Sequence, residues 1–334
     1  MSDLAKWKVH GSVETLRTEF ATWDLNLEEW QPASRVVVTS FRPDGAVSTS
    51  DANNPDGSVA HLQWLYNDLG RLEESHFWLN DGPIDRTLYS YDEAGRHVRT
   101  VQLTHDGTRT DSAICSYDAG GTKTMVRFLG LFGANVAYNI EGTDRAYSAP
   151  GAATMTTTCD GQHLPIKVVF QDANQTPLRI VVFVRDGAGR ILNEEMQFLD
   201  LAGLADSEGT ASMFKKVFGE TFSSTKYVYD TQGRLLERTN RMGGLGEDHT
   251  TYRYDAHDDP IEETAEHTNR EANLDEHGIV HYSSEHRSVQ HNRFDYRYDP
   301  RGNWTERIVS IRLEPNPGFQ RSNIERRAIT YHAT

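Results

Sequence analysis

The sequence predicts an all-β protein: antiparallel β-hairpins stacked into a curved sheet, an open shell or a barrel, with one inserted helix. Three observations predict it. A turn of the form Tyr-Asp-x-x-Gly-Arg recurs along the chain, as in "YDEAGR" from Tyr91 and "YDTQGR" from Tyr229. Residues on either side of each turn alternate, as in "TKYVYD", "TTYRYD" and "FDYRYD", which is the period of a half-buried strand. The steps from Tyr66 to Tyr91 and from Tyr229 to Tyr254 are each 25 residues, and self-similarity at such a period marks a repeat architecture.

Taken in order, residues 1–40 read as lead-in strands and residues 41–334 as the repeat domain, with insertions at 126–152 and 198–222. Good copies of the turn centre on Tyr66, Tyr91, Tyr117, Tyr229, Tyr254 and Tyr298, and weaker ones on Phe41, Cys159, Phe170, Arg185 and Leu274. The turn has a physical logic. Its Asp can accept hydrogen bonds from backbone amides two residues on, and its Gly supplies the positive φ of a type I turn followed by a bulge. Alternation places Tyr227 with Tyr229, Tyr252 with Tyr254, Tyr296 with Tyr298, Tyr89 with Tyr91 and Trp64 with Tyr66 on one face. Stacked rungs then form an aromatic ladder. Simple alternation after the turn also sets Glu74, Glu237, Glu263 and Glu306 in one column.

The first insertion carries Phe128, Leu129, Leu131 and Phe132, read as a crossover packing under the sheet, or alternatively as a lid. In the second, Met213, Phe214, Val217 and Phe218 recur at helical spacing, which predicts a helix plugging one end of the sheet.

Composition narrows the functional classes. A net charge of −15, from 49 acids against 34 bases, repels nucleic acid and anionic membranes. Two cysteines, Cys115 and Cys159, cannot build a disulfide framework. The N-terminus has no secretory signal pattern and no apolar run approaches the ~20 residues of a spanning helix. These features predict a cytoplasmic chain with no membrane partner. "DDPIEE" from Asp258 matches a magnesium–diphosphate motif only superficially, because it falls on a hairpin tip. Ser212-x-x-Lys215 lacks its companion motifs, and the late histidines lack metal-ligand spacing. No metal and no cofactor is expected.

On its repeated turns the chain resembles the YD-repeat, or Rhs-repeat, family over roughly residues 41 to 310, and within it the small stand-alone bacterial members of uncharacterised function. Large members of that family form hollow β-cages around a cargo. Here the Asp-Pro-x-Gly-Leu self-cleavage segment of such cages is absent and the chain is several-fold shorter. The resemblance therefore implies a curved sheet, shell or small barrel.

The reading of function is a non-catalytic module that binds a small molecule, sugar or peptide partner on a concave surface. Glu74, Glu237, Glu263, Glu306, Tyr229 and Tyr254 are its candidate binding residues. The alternative is an enzyme with a pocket beneath the 126–152 insertion, using Glu237 or its counterparts as general acid or base. The turn assignment itself is testable. Gly233→Val should lower stability by about 1–3 kcal/mol through strain at positive φ, and an unchanged thermal midpoint would remove the assignment.

Overall fold

The computed structural model describes residues 3–82, 84–119, 122–129, 138–140, 146–147, 151–199, 217, 221–275, 277 and 279–332. Among them, twenty strands form a closed antiparallel barrel. Each strand pairs with its neighbours in chain order, and the ring shuts where Val13–Asp24 pairs on one side with Arg35–Phe41 and on the other with Gln320–Tyr331. Val13–Asp24 and Arg35–Phe41, the longer strands near the start of the chain, thus belong to the ring itself. A short strand, Glu29–Trp30, folds back on the end of Val13–Asp24, and a single helical turn spans Asp3–Lys6. The helix expected within 198–222 falls outside the described residues, apart from a buried Val217.

The good copies of the turn, those after Tyr66, Tyr91, Tyr117, Tyr229, Tyr254 and Tyr298, lie at one rim. At the tip after Tyr229, Asp230 Oδ1 accepts from the amides of Gln232 and Arg234, both at 2.9 Å. Gly233 stands at φ +88°, where a side chain would be strained. The Arg234 guanidinium donates from Nε to Asp230 Oδ2 at 2.7 Å. Asp92 and Asp186 are clamped the same way by Arg96 and Arg190.

Each tip also reaches the next hairpin. The Tyr254 hydroxyl donates to the carbonyl of Leu235, 19 residues back, at 2.7 Å. Tyr66 and Tyr91 donate to Val47 and Leu72 at 2.8 and 2.7 Å, again 19 residues back. Tyr117 donates to His97, and Arg185, standing where a copy has Tyr, donates to Pro165. Over each ring lies the arginine of the preceding tip. Arg96 is 4.4 Å from Tyr117, Arg190 4.9 Å from Tyr229 and Arg234 5.1 Å from Tyr254. Cation–π contact of this kind contributes roughly 0.5–1 kcal/mol at exposed sites. Tyrosine and arginine of the motif are therefore one inter-hairpin latch.

The tyrosine face is the inner wall. Among the fully buried side chains on strands, Met155, Thr157, Val168, Phe170, Val181, Glu194 and Thr225 all lie on it. The opposite face exposes Leu65, Ile114, Val182, Val184 and Val228. Leu129, Ile140 and Tyr147 of the first insertion pack against Met155, Val168 and Phe170, as the crossover reading expects, while Phe128 is exposed on the outer wall. Leu131 and Phe132 lie outside the described residues. Elsewhere the inner wall is wet. Phe77, Met242 and Leu313 share the tyrosine face yet are 42, 38 and 52% exposed. A ring of this many strands is too wide for side chains alone to fill, which leaves a lumen.

Removing one latch hydroxyl, in Tyr254→Phe, should cost about 1 kcal/mol, because the Leu235 carbonyl loses its donor. Urea unfolding of the variant checks this, and an unchanged midpoint would deny the latch its energetic role.

Candidate functional site

The four glutamates expected in one column do not share a face. Each tip inserts one extra residue, so the register shifts between Val228 and Tyr229, and between Arg253 and Tyr254. One inserted residue reverses the alternation that follows it. Glu74, Glu237 and Glu306 therefore pair with Leu65, Val228 and Arg297 on the outer wall. There Glu74 is held by Arg86 and His76, and Glu306 lies 3.3 Å from both Arg297 and Arg326. Glu237 is 3.7 Å from His249. Glu263 alone of the four turns inward, opposite Tyr252, where Asn292 donates to it at 2.8 Å. Its neighbour Glu262 takes the outer place, paired with Arg253 at 2.6 Å. Tyr229 and Tyr254 stand on the inner wall, as the alternation predicts, each under a latch arginine. Sequence reasoning missed Glu194, an inner-wall acid only 1% exposed that accepts from the Tyr227 hydroxyl at 3.3 Å.

The tip after Tyr254 departs from the repeat at its glycine and arginine positions. Asp258 replaces its glycine and sits at φ +63°, and Asp259 replaces its arginine. Arginine would stack on Tyr298; instead His257 stacks there at 4.0 Å, and Tyr298 Oη lies 2.6 Å from Asp255 Oδ2 and 3.0 Å from Asp259 Oδ2. One hydroxyl proton thus faces two carboxylates. Burial and these acceptors push the Tyr298 hydroxyl far above its ordinary range. Asp259 is 7% exposed and meets Lys8 Nζ at 3.5 Å. Leu4, Lys8, His10, His257, Asp258 and Asp259 line a cleft of about 480 Å³ at this rim. The signal was visible in "DDPIEE": two acids stand where other copies carry Gly-Arg.

Beside it the chain termini are clasped. Asn303, fully buried, accepts from the His10 amide at 2.5 Å and donates to the His10 carbonyl at 3.0 Å and to Tyr331 Oη at 2.8 Å. Tyr331 donates to Asp299 at 2.6 Å, and Arg301 lies 3.6 Å over its ring. The last strand therefore ends in a latch of the same type. Among the described residues no three His, Cys, Asp or Glu side chains are placed to hold a metal ion.

No family model and no curated protein matches the sequence. Among solved structures, a porin-like protein from Bacteroides uniformis aligns over 95% of this chain and 96% of its own, at 12% identity and a TM-score of 0.34. So loose an alignment leaves the barrel resting on the strand pairing itself.

Closure corrects the expected function, partners and location. A binding module with an open concave face is replaced by a closed ring, so the small-molecule, sugar or peptide partner expected on that face has no such groove. The alternative enzyme pocket fares no better: Glu237 is outside, and the described part of 126–152 packs against the wall. The cytoplasmic, membrane-free reading rested on net charge, on the N-terminal pattern and on helix length. No described helix is long and apolar enough to cross a membrane, but a barrel crosses with strands, so that expectation is withdrawn.

The clasp makes a pH prediction. Burial opposes charge on Asp255 and Asp299, but the hydroxyls of Tyr298 and Tyr331 and the turn amides outweigh it and hold both below the usual carboxylate range. A carboxyl depressed on folding contributes stability that is fully present above its unfolded value of about 3.9 and is lost as pH falls through its folded value. Thermal midpoints should therefore hold steady from about pH 7 to 5 and drop below about pH 4. Asp255→Asn and Asp299→Asn should show lower midpoints at neutral pH and a shallower drop; acid profiles parallel to wild type would contradict the clasp.

Proposed function

We propose that the chain works through its lumen, as a hollow β-barrel that admits polar solutes and passes them along an aqueous interior. One observation carries the proposal: the ring is closed and part of its inner wall is wet and polar. Thr87, Asn240, Asp248, His267, Gln290 and Asn292 stand on the tyrosine face away from the packed sector. Rings of comparable strand number hold water-filled or loop-plugged interiors.

The outer wall is of two kinds. Ile114, Phe128, Ile166, Val182, Val184 and Val228 are exposed over one sector. Over another, Arg253–Glu262, Arg287–Glu266 and Arg297–Glu306–Arg326 form cross-strand ion pairs. Lipid contact, where it occurs, falls to the apolar sector, since a bilayer-facing band is apolar. Kinship with the YD-repeat family belongs to the same proposal. The Tyr-Asp-x-x-Gly-Arg turns and their regular latches support it.

In a chain whose Cys115 and Cys159 are alanine, the test introduces a single cysteine on the inner wall, Gln290→Cys, or on the outer wall, Thr251→Cys. A charged, membrane-impermeant thiol reagent should modify the two at rates within about ten-fold if the lumen is open to solutes. Failure to react at 290, with normal reaction at 251, would close the lumen and end the proposal. Sugar influx into liposomes carrying the protein would place the passage across a bilayer. Without influx, it is an enclosed compartment.

A further inference from the structure

The inner wall also carries a thiol and an imidazole in direct contact. Cys115 Sγ lies 3.5 Å from His97 Nδ1, within reach of a hydrogen bond to sulfur. The other ring nitrogen, Nε2, meets the Arg99 carbonyl at 3.1 Å and Thr100 Oγ1 at 2.9 Å. A carbonyl only accepts, so Nε2 carries the ring hydrogen, and Nδ1 presents its lone pair to the thiol. The backbone of His97 is fixed as well, because Tyr117 donates to its carbonyl at 3.0 Å. Rings of Tyr89 and Tyr91, about 6 Å away by centroid, flank the imidazole. The arrangement is nucleophile, base and orienting group, in the order that activates a thiol.

We propose that Cys115 is a nucleophile of the inner wall, with His97 as its base, and that its ligand class is a small activated alkene such as an α,β-unsaturated carbonyl compound. A thiolate is the reactive form of cysteine and a soft nucleophile, suited to that carbon. The step balances with the groups present. The thiol proton passes to His97 Nδ1, the sulfur bonds to the β-carbon as the C=C π bond opens, and the α-carbon takes the proton back from the imidazolium. No leaving group, oxidant or reductant is needed. The Arg99 carbonyl sets the tautomer, and Thr100 is a positioning residue that helps hold the ring in place. Because Cys115 is only 6% exposed, the ligand must be small.

Cys159, 3% exposed and on the same inner face, is the internal comparison. The folded protein is treated with acrylamide at neutral pH, and modification at each cysteine is followed by peptide mass spectrometry. Cys115 should react about ten-fold faster than Cys159, and the difference should vanish in urea, where both are ordinary thiols. His97→Gln should lower the rate at Cys115 about ten-fold and leave Cys159 unchanged. Should that variant not fold, Thr100→Val should slow Cys115 in the same direction. Equal rates at the two cysteines in the folded protein, no reaction at Cys115, or a Cys115 rate indifferent to both substitutions would overturn the assignment.

Discussion

One contact recurs around the ring: a tyrosine hydroxyl donating to a carbonyl of the preceding hairpin, under the arginine of that hairpin's tip. A single antiparallel hairpin is marginal in water and needs neighbours to bury its apolar face. Ladder hydrogen bonds join neighbouring strands, but they do not by themselves fix how one tip sits against the next. The latch does so, since a hydroxyl and a guanidinium both reach across the gap. The burial that permits this lifts the hydroxyls of Tyr66, Tyr91, Tyr117 and Tyr254 above their ordinary range. They remain proton donors across the physiological range.

The same constraint explains how the ring ends. The last strand pairs with the first, and closure removes both free edges of the sheet, which would otherwise be sites of aggregation. At the seam the latch is rebuilt from different parts. Tyr331 has no Asp after it and donates to Asp299 of another hairpin, while Asn303 binds the main chain at His10. One hairpin earlier, Asp259 and His257 take the place of the latch arginine on Tyr298. Two departures from the repeat therefore sit side by side where the chain ends meet. Departures from local rules concentrate at such special sites.

Much of the fold was legible in the sequence. Asp230 and Gly233 of the turn after Tyr229 do what their chemistry predicts, and alternation correctly assigned Tyr227, Tyr229, Tyr252 and Tyr254 to one face. The acids were misplaced because the face of a residue after a turn depends on the bulge. Leu235 follows Tyr229 inward, yet Glu237 emerges outside. Closure was one of several readings, since repeat period alone does not count strands into a ring. Tyr331 carried no motif to announce it, and Asn303 showed only as a departure at the arginine position of the copy at Tyr298. The pairing of His97 with Cys115 was equally hidden, because the two are neighbours only through strand register.

The central claim is that the first and last strands meet. Thr15 and Thr330 face each other across that seam, with their hydroxyl oxygens 2.6 Å apart. The decisive measurement replaces both by cysteine in a chain whose Cys115 and Cys159 are alanine, and follows oxidation by non-reducing electrophoresis at low protein concentration. A closed barrel predicts rapid formation of an intramolecular disulfide in the monomer, with the purified oxidised chain melting at a higher temperature than the reduced one. A chain that stays reduced, or that cross-links only between molecules, would mean that the seam is open and that no lumen is enclosed.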